Sequence, residues 1–227
     1  MPKPPSSQAV LFDWDGTLLD SFDADSLAYI AMFQELGIPW GLSELAMHYT
    51  PNWHRVYRAA CIPRSKWDIA DKIWAKHYAH HTPKLVPCAR SVLAWVARRY
   101  QLGLVTSGDR VRVLRQLRYF SLTRLFATHV CAGDTTQGKP HPAPLRLALK
   151  QMCLDPKACV YVGDSPHDLE MSRRAGVCAI AVIGRFPTEA GLRAAKPEFL
   201  LNSLKELPAV LKSLEEQSRK SCKSSRG

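Results

Sequence analysis

No apolar run in this chain approaches the about 20 residues needed to cross a bilayer. The longest, Val177 to Ile183, is strand-sized. Met1 to Gln8 is rich in proline and serine and has no apolar stretch of the kind a secretory signal carries. There is no Cys-x-x-Cys pair, and the seven cysteines are an odd number. Neither a disulfide framework nor a zinc module is therefore expected. Cys131, Cys159 and Cys178 lie in apolar runs, as small buried hydrophobes do. There are no internal repeats. These absences exclude a membrane span and a secreted disulfide scaffold, and they point to a reduced, cytoplasmic setting.

What is present is a 227-residue chain with 46% hydrophobic content, enough for one substantial α/β core with an inserted module. The formal net charge of +11 raises the question of nucleic acid. The arginines are dispersed, from Arg55 and Arg58 through Arg98, Arg110, Arg112 and Arg118 to Arg173 and Arg174, and no nucleic-acid-binding motif accompanies them. Attraction of an anionic small molecule, or solubility alone, accounts for such a balance equally well. Part of the excess lies in the tail from 212 to 227, whose composition predicts an unstructured segment.

Short apolar runs alternate with helical stretches, the pattern of a parallel sheet wrapped by helices on both faces. Strands are predicted at Ala9 to Phe12, Leu102 to Thr106, Thr128 to Ala132, Cys159 to Val162 and Cys178 to Ile183. Helices are predicted at Ser91 to Tyr100, Val111 to Phe120, Ala143 to Met152 and Leu169 to Ala175, with Gly176 as the last stop. The long interval between the first two strands cannot be a structureless loop in a compact domain. Its periodicity is helical: Leu27, Ile30, Ala31, Phe33 and Leu36 share one face before Gly37. Trp53, Val56, Tyr57 and Ala60 suggest a second face, and Trp67, Ile69, Ile73, Trp74 and Tyr78 a third. The expected organisation is a flexible segment at 1–8, a Rossmann-like core from 9–20 and 86–211, a helical cap at 21–85, and the tail.

Four segments carry chemistry. Phe12-Asp13-Trp14-Asp15-Gly16-Thr17-Leu18 follows the first strand. Two acids two residues apart share a side as the chain leaves a sheet edge, and that carboxyl edge is where open α/β folds bind ligands. Thr106-Ser107-Gly108-Asp109 ends the second strand and offers a hydroxyl and amides suited to phosphate oxygens. Lys139, between Gly138 and Pro140, is a candidate point charge for a phosphate. Gly163-Asp164-Ser165-Pro166-His167-Asp168 again places acids at a strand end, across a turn that opens a helix. Taken singly, each segment also reads as an ordinary turn, a helix cap or a surface lysine.

Together, and in this order, the four segments resemble the four motifs of the haloacid dehalogenase superfamily, over Val10 to about Ile183. The helical insert resembles the cap of its phosphoglycolate phosphatase-like branch. The resemblance implies a phosphatase acting on a small phosphorylated metabolite such as phosphoglycolate or a sugar phosphate. Asp13 would be the nucleophile and Asp15 the general acid and base. Lys139 would neutralise charge, with Thr106, Ser107, Gly108 and Thr17 around the phosphate, Thr17 orienting Asp15. Mg²⁺ would be held by Asp13, Asp164 and the Asp15 carbonyl, with Asp168 behind them. Dehalogenases and phosphonate-cleaving members lack the second acid of the first motif; Trp14 is similar to the latter, but Asp15 is retained. A phosphomutase of the β-phosphoglucomutase kind is the alternative, followed by a non-catalytic phosphate-binding protein. A monomer or homodimer is expected, with no membrane or nucleic-acid partner. In the cap, Tyr49, His54, Arg55 and Arg58 are candidates for a substrate's anionic end, against solvated or structural roles. His77 and His81 read as an exposed helix face rather than metal ligands, and Trp67 and Trp74 as cap core. Pro87-Cys88 stands where relatives carry Pro-Gly, which bears on hinge motion.

Overall fold

The structure is a computed structural model that describes residues 8–224. The chain runs β1 (Ala9–Phe12), β2 (Leu19–Asp20), α1 (Phe22–Glu35), α2 (Leu42–His48), α3 (Trp53–Ala59), α4 (Trp67–Tyr78), β3 (Lys84–Leu85) and α5 (Ala89–Ala97). It continues as β4 (Gln101–Asp109), α6 (Arg110–Tyr119), β5 (Thr128–Ala132), α7 (Ala143–Met152), β6 (Cys159–Gly163) and α8 (Pro166–Ala175). The last elements are β7 (Cys178–Val182), α9 (Glu189–Ala194), β8 (Phe199–Leu201) and α10 (Leu207–Ser224).

Six strands form one parallel sheet in the order β5-β4-β1-β6-β7-β8. Strand β1 is fully buried because helices cover both faces, and its side chains alternate between two cores. Val10 and Phe12 join Val92, Leu93, Val113, Leu117, Leu207 and Leu211 on one side. Ala9 and Leu11 join Leu145, Leu149 and Met171 on the other. The chain leaves β1 for β4 on one flank and reaches β6 on the opposite flank. The sheet order therefore reverses beside β1, and the crevice at that reversal is where such folds bind ligands.

Helices α1–α4 lie between β2 and β3, which pair antiparallel. They have an apolar cluster of their own, with Met32, Phe33, Val56 and Tyr57 buried at its centre. Trp67 and Trp74 pack against that cluster. Cys88, which precedes α5, has φ of 65°. That left-handed conformation favours glycine, which is the physical sense of Pro-Gly at this place.

Two expectations change. Residues 212–224 do not form an unstructured tail but continue helix α10. Leu207, Leu211 and Leu214 recur at helical spacing and pack on the sheet, and Tyr100 on β4's approach hydrogen-bonds Glu215. At the other end, Gln8 donates its amide to the Ala158 carbonyl at 2.7 Å and is tied to the sheet edge. The rest of the N-terminal segment, 1–7, lies outside the described residues, as do 225–227.

Candidate active site

Phe12 closes the sheet pairing of β1, and the Asp13 amide still donates to Val162 at 2.9 Å. The chain then turns sharply: Gly16 donates to the Leu19 carbonyl at 2.8 Å and Leu18 to the Trp14 carbonyl at 2.9 Å. Gly16 sits at φ 80°, and a Cβ there would lie 2.1 Å from an Asp164 oxygen. Only glycine lets this turn run against the second acidic loop. The two acids of the turn are thereby delivered to the sheet's carboxyl edge but enter different surroundings.

Asp13 is buried beside Asp164 and Asp168. Carboxylate oxygens of the three lie within 4.8 Å of one another. The Lys139 ammonium sits 2.7 Å from Asp13 Oδ1 and 2.7 Å from Asp168 Oδ1. Burial pushes the Asp13 carboxyl up to about 7, with Asp168 adding to the rise and Lys139 opposing it. Burial, followed by the charges of Asp13 and Asp168, holds Asp164 well above the usual carboxylate range. Lys139 shows the reverse balance. Burial disfavours its charge, but Asp13 and Asp168 outweigh burial and raise its pKa.

Asp168 is fixed by its own helix. Its Oδ2 accepts from the Ser165 amide at 3.1 Å and the Ser165 hydroxyl at 2.6 Å, while Ser165 caps α8 in return and Pro166 opens the helix. The Tyr161 hydroxyl donates to Asp168 Oδ1 at 3.1 Å. Among the described residues Asp164 has one side-chain donor, the Thr17 hydroxyl at 3.3 Å. Thr17 therefore orients Asp164 rather than Asp15, a correction to the expected pairing. Its side chain folds under the turn, toward the neighbouring strand end.

Asp15 faces away from this cluster and meets Arg112 of α6. Arg112 Nη1 donates to Oδ1 at 2.9 Å and Nη2 to Oδ2 at 2.7 Å, a two-pronged ion pair. Burial pushes the Asp15 carboxyl up, but the Arg112 charge and its hydrogen bonds prevail and leave it below the ordinary value. The pair belongs to a network across the helical layer. Arg112 also donates to the Tyr78 hydroxyl and to Gln116 Oε1, both at 3.3 Å. Gln116 donates to Tyr78 at 3.2 Å and accepts from Trp14 Nε1 at 2.8 Å. A Cβ on Gly108 would lie 2.5 Å from Arg112 Nη2 and 3.2 Å from Asp15 Oδ2, so glycine is what allows this close approach.

Thr106 is buried in the second half of β4, and its hydroxyl accepts from the Gly108 amide at 3.0 Å. The Gly108 amide is thus engaged within the loop. Thr106, Ser107 and Lys139 line, with Asp13, Asp15 and Asp164, a cavity of about 560 Å³ between the sheet edge and α1–α4. All the predicted core-side residues except Thr17 and Asp168 border this cavity, and those two stand directly behind it.

Of the four cap residues expected to meet a substrate's anionic end, Tyr49 lines the cavity, stacked on Phe186 at 5.0 Å, and His54, Arg55 and Arg58 do not. His54 stacks on Trp67 at 4.6 Å, and Arg58 lies over the same ring at 5.5 Å. Arg55 and Arg58 are exposed. His77 pairs with Glu35 at 2.6 Å. Sequence reasoning missed Arg112, Gln116, Tyr78 and Ser165. One signal existed for the first two: they flank the buried Val113 and Leu117 on α6, four residues apart, where polar side chains need partners.

Three buried carboxylates against one ammonium leave negative charge without a counter-ion, and the donors are all oxygen. Such a set suits a hard divalent cation such as Mg²⁺.

The sequence profile of the haloacid dehalogenase-like hydrolases matches residues 10–182. A pyrophosphatase, PpaX, of Bacillus mycoides is 30% identical over 217 residues, covering 89% of this chain and 95% of its own. Among solved structures, a haloacid dehalogenase-like family protein of Streptococcus pneumoniae superposes with a TM-score of 0.78 at 23% identity, covering 90% of this chain and 98% of its own. CbbY of Rhodobacter sphaeroides, solved with phosphate, gives 0.75 at 24% identity, covering 88% and 96%. These two likenesses bear on the fold alone. The described residues include no helix long and apolar enough to cross a membrane.

Proposed function

The chain belongs to the haloacid dehalogenase-like hydrolase family, as an enzyme of its phosphatase kind, and from that premise we propose that it hydrolyses a small phosphate monoester with Mg²⁺ bound, through an aspartyl-phosphate on Asp13. The observation that carries this reading is the Asp13–Lys139–Asp168 cluster with Asp164 at 4.8 Å or less, opening on a cavity that also holds Asp15.

Asp13 attacks phosphorus in line and takes the phosphoryl group, which splits one difficult hydrolysis into two easier transfers. The ester oxygen leaves with a proton from Asp15. Asp15 then removes a proton from the water that attacks the aspartyl-phosphate, releasing inorganic phosphate and restoring Asp13. Because Arg112 holds Asp15 in its ionised form, entry of substrate must loosen that pair before Asp15 can serve as an acid. The Thr106 hydroxyl and Ser107 amide hold the transferring oxygens, and Lys139 offsets charge on them. Mg²⁺, when bound by the Asp13 and Asp164 carboxylates and the Asp15 carbonyl, supplies the remaining positive charge and polarises the phosphoryl group. Asp168 keeps Lys139 in place behind it. Helices α1–α4 act as the cap that covers the reaction from water.

The test is phosphate release from a panel of esters and pyrophosphate, with and without Mg²⁺, in the wild type and in Asp13→Asn. Metal-dependent release lost in the variant supports the reading. A requirement for a bisphosphate activator, with slow attack of water on the phosphoenzyme, would replace it with a phosphomutase. Absence of release from every ester by a folded chain would overturn it.

A further inference from the structure

Beyond the acidic floor, the cavity wall changes character. Tyr29 of α1, Tyr49, Trp53 and Tyr57 of α3, and Trp74 and Tyr78 of α4 face it. These are electron-rich rings, set together: Tyr29 and Trp74 have centroids 6.2 Å apart, and Trp74 and Tyr78 4.7 Å. Two carboxylates stand among them, Asp25 and Asp71. Asp71 accepts from the Tyr57 hydroxyl at 2.8 Å. Asp25 enters no ion pair among the described residues.

The cations bordering the same cavity are Lys72, Arg112 and Lys139. Lys139 is committed to Asp13 and Asp168, and Arg112 to Asp15. Lys72 is exposed. Among the described residues the buried cations of this wall are therefore already paired, which leaves exposed Lys72 to meet a second anion, while Asp25 stands without an ion pair beside aromatic faces. Rings of this kind attract a cation through their negative faces, and a nearby carboxylate adds to the attraction. Burial, followed by the neighbouring Asp15 charge, pushes Asp25 up to about 8, with the Arg112 charge opposing the rise.

We propose that the cavity selects phosphate esters whose leaving group carries an ammonium, seated against the Tyr and Trp rings with Asp25 as its counter-ion, over esters with a second anionic group. The inference rests on the phosphatase reading for the phosphate end of the ligand. It sets the preferred substrate apart from phosphoglycolate-like or pyrophosphate-like anions. An aminoalkyl phosphate is of suitable size for a cavity of about 560 Å³.

The experiment uses the wild-type chain with Mg²⁺ and three phosphonates of similar length that cannot be hydrolysed as esters. These are 3-aminopropylphosphonate, propylphosphonate and 3-phosphonopropionate, positive, neutral and negative at the far end. Binding is read by calorimetry and by Trp fluorescence. The amino ligand is expected to bind at least about tenfold more tightly than the neutral one, and the carboxylate more weakly than either. Asp25→Asn, with Asp71→Asn as a second variant, is expected to bring the three affinities together. Equal affinities in the wild type, tightest binding of the carboxylate, or no binding of any of the three would overturn the proposal. Turnover of p-nitrophenyl phosphate is measured alongside. Ester hydrolysis without an amine preference sinks this inference alone, whereas an amine preference with no hydrolysis of any ester sinks the phosphatase reading.

Discussion

The floor and the roof of the cavity are built on different principles. The floor takes its charged groups from the segments that follow β1, β5 and β6, locked in place by glycines and a helix cap. Its side chains are positioned by main-chain pairing, so they gather acids in spite of mutual repulsion. The roof takes its groups from four helices with an apolar core of their own, and its polar residues face the cavity between aromatic rings. Function that needs fixed geometry sits on the sheet, and function that needs shape sits on the helices.

The largest effect expected on the floor is that of Asp13→Asn. Loss of the proposed nucleophile should lower phosphate release by about a thousandfold or more, since removal of such a group forfeits most of the acceleration. Steady-state rates with an unchanged circular dichroism spectrum are the check. Retention of activity near the wild-type level would remove the covalent mechanism.

The Asp15–Arg112 pair, which reaches the roof through the Tyr78 hydroxyl, has side chains 24% and 12% exposed. Arg112→Met leaves Asp15 without its partner and should cost about 2–3 kcal/mol in urea unfolding, a discount on the fully buried case. Asp15→Asn together with Arg112→Met should cost less than the sum of the single changes, and additivity would show that the two residues do not act as a pair.

In the roof, Asp25 gives a pH signature. Its carboxyl lies at about 8 in the fold, against 3.8 ordinarily. Between those values the folded chain keeps a proton that the unfolded chain releases, so this group lowers stability as pH rises from about 4 to about 8. Asp25→Asn should raise stability at the upper end by about 1–2 kcal/mol, allowing for its partial exposure, and leave it unchanged below pH 4. Parallel stability–pH curves for variant and wild type would place Asp25 in a solvated setting. The smallest effects belong to the outer roof. Arg55→Ala and Arg58→Ala, both exposed and away from the cavity, should keep kcat/KM within about twofold.

The same division explains what the sequence made legible. The floor was readable because a strand followed by Asp-x-Asp-Gly, or by Gly-Asp, is a local pattern that main-chain geometry turns directly into position. Helix α7 runs over the predicted Ala143–Met152 because its stripe of Leu145, Ala148 and Leu149 is regular. Boundaries moved where local chemistry overrode hydrophobic pattern. Helix α8 starts at Pro166 rather than 169 because Ser165 caps it, and β4 reaches Asp109 because a register shift lets that residue pair with Ala132. The basic residues of 212–224 concealed the leucine stripe of α10. The roof's inner wall was not readable, because Asp25, Tyr57, Asp71 and Trp74 come together only once α1, α3 and α4 have packed. Arg112 is the clearest case. In the sequence it is one of many dispersed arginines; in the fold both its Nη atoms clamp Asp15.

The central place of β1 has a consequence for synthesis of the chain. It leaves the ribosome well before either of its two neighbours, β4, from Gln101, and β6, from Cys159. Until both have emerged, a wholly apolar strand has no sheet to join and the acids behind it have no lysine between them. Such distant pairings slow folding and expose strand edges while they wait. The helices α1–α4, with a core made from near neighbours in sequence, can form in that interval. On this topology the roof is free to form first, and the floor is complete only when the later strands close on β1.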